Sequence, residues 1–249
     1  MLPYLRIGPF LLQLPGLALL LGVWVGSSLA EKQARRLRLS AEAVYNLIFI
    51  ALIVGLAGAR LGYAAQYAAI YRQEPLQIFS LKPQTLSLPA GLAAALLTAY
   101  LYTMRKGLPL RPTLDALAPG LAAFWPFLGL AHLLSGDAFG RATSLPWAIY
   151  LWDAPRHPTQ VYEILLAVAV LLVVLGRVRT ALWEGETFLL TVALMAAARL
   201  FLDGFRGDSP LTTGGLRIPQ LDALFILLLT WGLWSRWTQA HHPKDFIHE

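Results

Sequence analysis

The sequence has 249 residues, of which 57% carry hydrophobic side chains and only 14% are charged. This composition excludes an ordinary soluble domain, in which about a quarter of the residues are charged. The apolar runs recur along the whole chain, so we predict a single integral membrane domain over residues 1–249. Because the chain has no cysteine, it has no disulfide and no nucleophilic thiol of its own. The net charge of +6 is typical of basic loops that face anionic lipid headgroups, and we expect no nucleic-acid binding.

Seven apolar segments are predicted to be membrane-spanning helices. They cover residues 10–30, 41–63, 86–104, 116–135, 161–176, 187–204 and 221–234. The first has about 21 residues, enough to cross a hydrocarbon core of ~30 Å at ~1.5 Å per residue. Ser40, just before the second segment, is a plausible N-cap. The sequence therefore predicts an all-α, polytopic membrane helix bundle with about seven transmembrane spans.

The charges around the first span predict its orientation. Arg6 alone precedes the span, whereas Lys32, Arg35, Arg36 and Arg38 follow it. Because basic residues concentrate on the cytoplasmic side, we expect the N-terminus outside. Seven spans then place the C-terminus inside.

Three charges at the end of the sixth span point to chemistry, since a charge in the bilayer interior costs a few kcal/mol and needs a partner or a cavity. Arg199 and Asp203 are four residues apart and Arg206 follows, so one helix face carries all three. One interpretation is a structural ion pair. The other is an anion site, because one positive charge remains after pairing and a planar guanidinium suits phosphate oxygens.

Three further polar residues lie in or at the ends of spans. Arg60 either extends to lipid headgroups or belongs to a site. His132 is either a hydrogen-bonded core residue or a base. Glu163 is interpreted as a first-turn charge that complements the helix dipole.

The connection between the fourth and fifth spans is polar and aromatic. Gly136 and Gly140 permit tight turns that bring backbone amides close to a ligand, and Arg141 and Arg156 add charge at headgroup depth. We expect this connection to fold back over an outward-facing pocket lined by Arg199 and Asp203.

Four segments together form a family pattern. They are Gly58-Ala59-Arg60-Leu61-Gly62-Tyr63, the stretch 136–147, the run Arg156-His157-Pro158-Thr159-Gln160-Val161-Tyr162-Glu163, and residues 199–206. With these segments the sequence resembles the prolipoprotein diacylglyceryl transferase family over most of its length. The Arg-His-Pro-x-Gln-x-Tyr-Glu run is the most specific of the four.

The resemblance implies a seven-span enzyme of lipoprotein biosynthesis in the bacterial inner membrane, with the orientation given above. Enzymes of this family move a diacylglyceryl group from phosphatidylglycerol to the cysteine thiol of a lipoprotein precursor, and they release glycerol phosphate. The implied partners are phosphatidylglycerol, the prolipoprotein signal peptide and the membrane, with no cofactor and no metal ion. The predicted catalytic residues are His132, Asp137, Arg199 and Asp203. The predicted lipid-binding residues are Arg60, Gly140, Arg141, Arg156 and Arg206.

The chain departs from the family pattern at several of these positions. Pro89-Ala90-Gly91 stands where the family has His-Gly-Gly, Gly129 where it has an arginine, and His132 where it has an asparagine. A free thiol with a pKa of about 8.5 is only a few per cent thiolate at neutral pH, so His132 or Asp137 would have to serve as the base. The alternatives are a non-catalytic phospholipid-binding relative and a small transporter or channel, which would need a continuous polar path through the bilayer.

Overall fold

The computed structural model describes residues 4–7, 10–79 and 85–241, and over these ranges the chain forms eight α-helices and two short β-hairpins. The helices are α1 (Leu14–Arg36), α2 (Ala41–Gln66), α3 (Ala68–Gln73), α4 (Leu88–Arg105), α5 (Leu110–Ser135), α6 (Thr159–Arg177), α7 (Glu186–Asp203) and α8 (Ile218–His241). The strands are β1 (Tyr4–Ile7), β2 (Phe10–Gln13), β3 (Ile149–Leu151) and β4 (Ala154–Arg156), paired antiparallel as β1 with β2 and β3 with β4. The predicted all-α membrane bundle is confirmed.

Five of the helices are long and apolar enough to cross a membrane, namely α1, α2, α5, α6 and most of α8. The third and sixth predicted spans correspond to α4 and α7, which are helices of 18 residues each. At ~1.5 Å per residue such a helix is about 27 Å long, slightly less than the ~30 Å hydrocarbon core. Seven spans and the orientation of the termini therefore stay predictions.

The surface of the helices has the character expected in lipid. Leu20, Leu96 and Trp231 are 67%, 69% and 77% exposed, and many other large apolar side chains are also exposed. Soluble monomers rarely expose contiguous apolar surface on this scale. The exposed apolar residues thus support a bilayer as the solvent of this protein.

The start of the first predicted span is wrong. Residues 10–13 form strand β2, and the helix begins only at Leu14. Because Leu11 and its neighbours are apolar, composition alone does not distinguish a strand from the first helical turn.

The backbone divides into two compact units, Ala34–Thr113 and the combination of Met1–Gln33 with Leu114–Glu249. This division does not test whether residues 1–249 form a single membrane domain, which stays a prediction. In the Ala34–Thr113 unit, Ser40 caps α2 as predicted, because its side chain accepts a hydrogen bond from the Ala43 amide at 3.1 Å. In the same unit α2 packs closely along α4, with Gly58 and Gly62 against alanines of α4.

The other unit is built around α5, α6 and α7, which share a buried cluster. Its members are Ala122, Trp125, Ala167, Val170, Val174, Ala198 and Leu202. Helix α7 is also anchored at its N-terminus, because the Asp115 carboxylate of α5 accepts hydrogen bonds from the Gly185 and Phe188 amides at 2.5 and 2.9 Å. These amides have no partner within a helix, so the carboxylate satisfies them. This contact holds the N-terminal end of α7 on α5, and Arg199 and Asp203 lie at the C-terminal end of the same helix.

Candidate active site

The connection between α5 and α6 contains the hairpin β3–β4. Trp152 and Asp153 form its two-residue turn with φ values of 51° and 58°. A two-residue turn of this type needs both residues in the left-handed region, because only then does its twist match the strands. The indole nitrogen of Trp152 donates to the Gly136 carbonyl at 3.2 Å, so the hairpin is fastened to the start of the connection.

The same connection pairs with the segment that follows α7. The Arg141 amide donates to the Phe205 carbonyl at 2.8 Å, and the Gly207 amide donates to the Phe139 carbonyl at 2.8 Å. Gly140 lies between these bonds, opposite Arg206. A Cβ at Gly140 would lie 2.3 Å from the His157 carbonyl oxygen, so only glycine fits there. The pairing brings Gly140 and Arg141 next to Arg206, as expected if they share a site.

Asp203 is the buried centre of the charged residues on α7. Its side chain is 0% exposed, and Oδ2 accepts a hydrogen bond from Arg199 Nε at 3.1 Å. The other oxygen lies 3.7 Å from Arg206 Nε. The predicted contact between Arg199 and Asp203 is confirmed, while the binding of phosphate by these residues stays a prediction.

Arg206 has a second acidic partner that the sequence reasoning missed. Its Nε and Nη2 donate to the two carboxylate oxygens of Asp208, both at 2.9 Å. The two arginines at this end of α7 therefore face two aspartates, and the expected surplus of one positive charge is wrong. The error arose because only residues at helical spacing were considered, whereas Asp208 follows Arg206 by two residues beyond the end of α7.

The pKa values of Asp208 and Arg206 also reflect their pairing. Burial alone would raise the pKa of Asp208, but the hydrogen bonds and charge of Arg206 hold that pKa below its ordinary value. Burial alone would lower the pKa of Arg206, but the bonds and charge of Asp208 raise it above its ordinary value, and the charges of Asp203 and Glu163 act in the same direction. When His132 is protonated, its charge also acts to lower the pKa of Asp208. His132 and Glu163 are thus within electrostatic reach of this ion pair.

His132 and Glu163 form a second pair, between α5 and α6. His132 Nδ1 lies 2.7 Å from Glu163 Oε2, and Glu163 Oε1 accepts a hydrogen bond from Trp125 Nε1 at 3.2 Å. The histidine side chain is 23% exposed and the glutamate 3%. Glu163 is the fifth residue of α6, so the prediction of a first-turn charge is wrong. Both interpretations of His132 stay open, because its Nδ1 is hydrogen-bonded to Glu163 and its side chain is partly exposed.

Asp137 and Arg141 are exposed side chains of the connection. The backbone of Asp137 is fixed, since its amide donates to Ser135 Oγ at 3.2 Å and its carbonyl accepts from Gln160 Nε2 at 2.8 Å. Within residues 4–7, 10–79 and 85–241 no side-chain partner is found for the Asp137 carboxylate or the Arg141 guanidinium. Arg141 is therefore a cation of the connection that is available to an anionic ligand.

Arg156 uses its guanidinium to hold the connection together. Its Nε, Nη1 and Nη2 donate to the carbonyls of Leu151, Gly140 and Trp152 at 2.9, 3.3 and 3.3 Å. The guanidinium also lies over the Phe139 ring, 5.0 Å from the centroid. These contacts support a structural role, and lipid binding by Arg156 stays a prediction.

Arg60 belongs to the Ala34–Thr113 unit. Its Nε donates to the Ile78 carbonyl at 2.7 Å and Nη1 to the Thr85 carbonyl at 2.9 Å, with further bonds to Thr85 Oγ1 and the Gln77 carbonyl. The guanidinium fastens the segment between α2 and α4. The contacts favour neither headgroup binding nor a site role, and the predicted lipid contact of Arg60 stays untested.

A cavity of about 460 Å³ lies among α5, α7 and α8. Its walls are almost entirely apolar, and the charged residues that line it are Arg199 and Asp222. Arg199 lines this cavity, whereas Asp203 and the connection between α5 and α6 do not, so it is not the pocket under the connection that the sequence predicts. The volume is within the ~300–1,000 Å³ that is typical of small-molecule sites, and apolar walls with an arginine at one side suit an amphipathic ligand.

Comparisons with known proteins identify the family of this chain. The sequence matches the family described as "Prolipoprotein diacylglyceryl transferase" over residues 3–236. It is 30% identical over 209 residues to a phosphatidylglycerol–prolipoprotein diacylglyceryl transferase of Clostridioides difficile, with 84% of each chain covered. It is 29% identical to the protein of the same name from Lactiplantibacillus plantarum, with 97% of this chain and 90% of the relative covered. The chain therefore belongs to the prolipoprotein diacylglyceryl transferase family, a family of transferases.

Proposed function

We propose that the protein transfers the diacylglyceryl group of phosphatidylglycerol to the cysteine thiol of a prolipoprotein signal peptide in the bacterial inner membrane. The observation that carries the proposal is the position of His132, whose Nδ1 is held by Glu163 while its side chain stays partly exposed, within electrostatic reach of the Arg206–Asp208 pair. Family membership supports the reaction type. The absence of cysteine in this chain agrees with a thiol that comes from a partner.

The reaction needs a base, a cationic site and a leaving group. In our proposal the thiol proton moves to Nε2 of His132, and the thiolate sulfur forms a bond to the glycerol carbon of the diacylglyceryl group. The bond between that carbon and the phosphate oxygen breaks, and its electron pair leaves with glycerol phosphate. The proton on His132 then passes to the leaving phosphate or to water, which restores the base.

Arginines stabilise the phosphate where negative charge develops. Arg141 is available for this role because its guanidinium is exposed and its backbone pairs with the segment that carries Arg206, and Arg199 lines the apolar cavity in which acyl chains would lie. Asp203 orients Arg199 and Arg206 through its two oxygens. Asp137, exposed at the start of the connection, is proposed to contact the acceptor peptide or the glycerol hydroxyls.

Transfer in vesicles tests this proposal. The full-length protein is reconstituted into phosphatidylglycerol vesicles with a lipobox peptide, and the peptide's mass gain and the release of glycerol phosphate are measured. We expect transfer to a cysteine peptide and none to its serine analogue. Arg199→Ala should lower the rate about 100-fold or more, because it removes a cation from the developing phosphate charge.

Arg179→Ala is the matched control, since Arg179 is an exposed arginine of the same unit after α6. This variant should keep the wild-type rate. Folded wild-type protein that gives no transfer above protein-free vesicles would overturn the proposal. Binding of phosphatidylglycerol without turnover would instead select the non-catalytic relative.

A further inference from the structure

Glu163 is a buried acid in an apolar helix, and the reaction steps proposed above do not use it. Both carboxylate oxygens have a partner, because Oε1 accepts from Trp125 Nε1 at 3.2 Å and Oε2 lies 2.7 Å from His132 Nδ1. Burying a carboxylate costs several kcal/mol unless such partners compensate for lost water. Both partners belong to α5, so this helix holds the carboxylate of α6 in place within one unit.

This contact decides the tautomer of the neutral histidine. Ionised carboxylate oxygens only accept hydrogen bonds, so Nδ1 must carry the proton that lies between the two groups. In the neutral ring the lone pair then belongs to Nε2, since the hydrogen bond at one nitrogen sets the state of the other. No partner for Nε2 is found in the part of the chain that the structure describes. The side chain is partly exposed, which agrees with a role of this lone pair as the acceptor of a substrate proton.

Gly129 permits this contact. It lies one helical turn before His132, and a Cβ at this position would be 2.9 Å from Ile164 Cγ1 and 3.3 Å from Glu163 Cγ. A larger side chain would push α6 away from α5. The pairing of Glu163 with His132 therefore requires a glycine at position 129, where the family pattern has an arginine.

We propose that Glu163 is the positioning residue for His132: it keeps the proton on Nδ1, presents Nε2 as the base and stabilises the imidazolium that forms. This inference rests on the proposed function. During the reaction the thiol proton binds Nε2, while the Nδ1 proton stays in its bond to Glu163. When Nε2 gives its proton to the leaving phosphate, the starting tautomer returns.

The substitution Glu163→Gln tests this role, because the hydrogen bond from Trp125 determines how the new amide is oriented. The indole nitrogen only donates, so it requires the carbonyl oxygen of the new amide. The amide nitrogen then faces His132 and donates to Nδ1, which moves the histidine proton to Nε2 and removes the lone pair that acts as the base. We expect kcat to fall about 100-fold or more, with KM for the peptide unchanged, as for a catalytic histidine held in the wrong tautomer.

Adding Trp125→Phe to Glu163→Gln should raise the activity again. Without the indole donor the amide can turn its oxygen toward His132, which restores the proton on Nδ1. We expect a recovery of about tenfold in kcat over the single Glu163→Gln variant. If Glu163 and Trp125 only supported the fold, the second substitution would lower activity further.

Nitrogen-15 spectra of histidine-labelled full-length protein report the tautomer without any turnover. The His132 signal, identified by its loss in His132→Asn, should show the proton on Nδ1 in wild type and on Nε2 in Glu163→Gln. Glu186→Gln is the matched control, because Glu186 is another buried glutamate, bonded to Arg177 at the opposite end of α7. It should leave the His132 tautomer and kcat unchanged.

Gly129→Ala provides a second variant that does not alter the carboxylate. It should reduce kcat about tenfold by separating the pair, whereas Gly176→Ala, where a Cβ meets nothing within 4 Å, should not. Wild-type transfer with an unchanged rate and tautomer in Glu163→Gln would overturn the positioning role and leave the transferase intact. Absence of wild-type transfer, with the tautomer as expected, would overturn the proposed function itself and with it the catalytic use of the pair.

Discussion

Glu163, Asp203 and Asp208 are three carboxylates of one charged cluster, and they differ in burial. Their side chains are 3%, 0% and 25% exposed. The two buried ones each contact groups from two directions, as required when a charge is removed from water. Asp208 is bound by a single arginine and remains accessible to solvent protons. At the scale of single residues, the buried carboxylates of Glu163 and Asp203 are suited to position other groups. The more exposed carboxylate of Asp208 can instead be titrated from solvent.

Asp208 should make the stability of the protein depend on acid pH. Its pKa is depressed in the folded state, so the ion pair with Arg206 contributes fully above the ordinary carboxyl pKa of about 4. The contribution is lost as the pH falls through the lower folded pKa. Asp208→Asn should cost about 1 kcal/mol at neutral pH and flatten the acid loss of stability, measured by thermal unfolding in detergent.

Asp153→Asn is the control for this titration. Asp153 is an exposed carboxylate in the β3–β4 turn with φ 58°, a conformation that asparagine also adopts readily. Its replacement should leave the pH dependence as in wild type. The same acid loss in Asp208→Asn and wild type would contradict the ion pair.

The residue contacts were only partly predictable from the sequence. The pairing of Arg199 with Asp203 follows from helical spacing alone, because residues four apart share a face. Glu163 and His132 are 31 residues apart on different helices, and no local rule joins them. Only the position of Glu163 in the Arg-His-Pro-x-Gln-x-Tyr-Glu run gave a signal for that contact.

At the scale of elements, small residues decide how closely helices approach. Gly58 and Gly62 of α2 form a G-x-x-x-G pattern, and a Cβ at these positions would lie 2.4 Å from the Ala94 Cβ and 2.2 Å from the Ala90 Cβ of α4. Without a hydrophobic driving force in lipid, helices associate through such close packing. Residues 58–63, which match the family pattern, thus also have a packing role.

Gly58→Ala should weaken the packing of α2 on α4. The added methyl group would overlap Ala94, which costs about 1–3 kcal/mol in a close-packed contact. Combining Gly58→Ala with Ala94→Gly returns the space on the other helix and should recover most of the loss. Thermal unfolding in detergent measures both, with Gly232→Ala as control because nothing lies within 4 Å of a Cβ there. Equal losses in Gly58→Ala and Gly232→Ala would contradict the packing role.

At the scale of the whole molecule, a cysteine-free chain permits a direct test of topology. Ser144→Cys lies in the exposed connection between α5 and α6, and Thr180→Cys is exposed between α6 and α7. Each variant has a single thiol. With the N-terminus outside and seven spans, an impermeant maleimide should label Ser144→Cys in intact cells and Thr180→Cys only after permeabilisation.

The opposite labelling would reverse the predicted orientation. Labelling of both positions from outside would mean that α6 does not cross the membrane. The prediction places His132 toward the outer side of the membrane. With a different topology, substrates would have to reach it from another side.

The lipid environment, most of the helices and the family can be inferred from the sequence alone, because apolar length, capping and local motifs are all short-range properties. The sequence also determined one charge pair, Arg199 with Asp203, which lies within one helical turn. Which distant groups meet depends on the folded chain: Glu163 meets His132 beside a glycine of α5, and Gly140 lies opposite Arg206 through backbone pairing. The physical reason is that close approach depends on the absence of side-chain atoms between helices, and the cost of burying a charge then selects the partner.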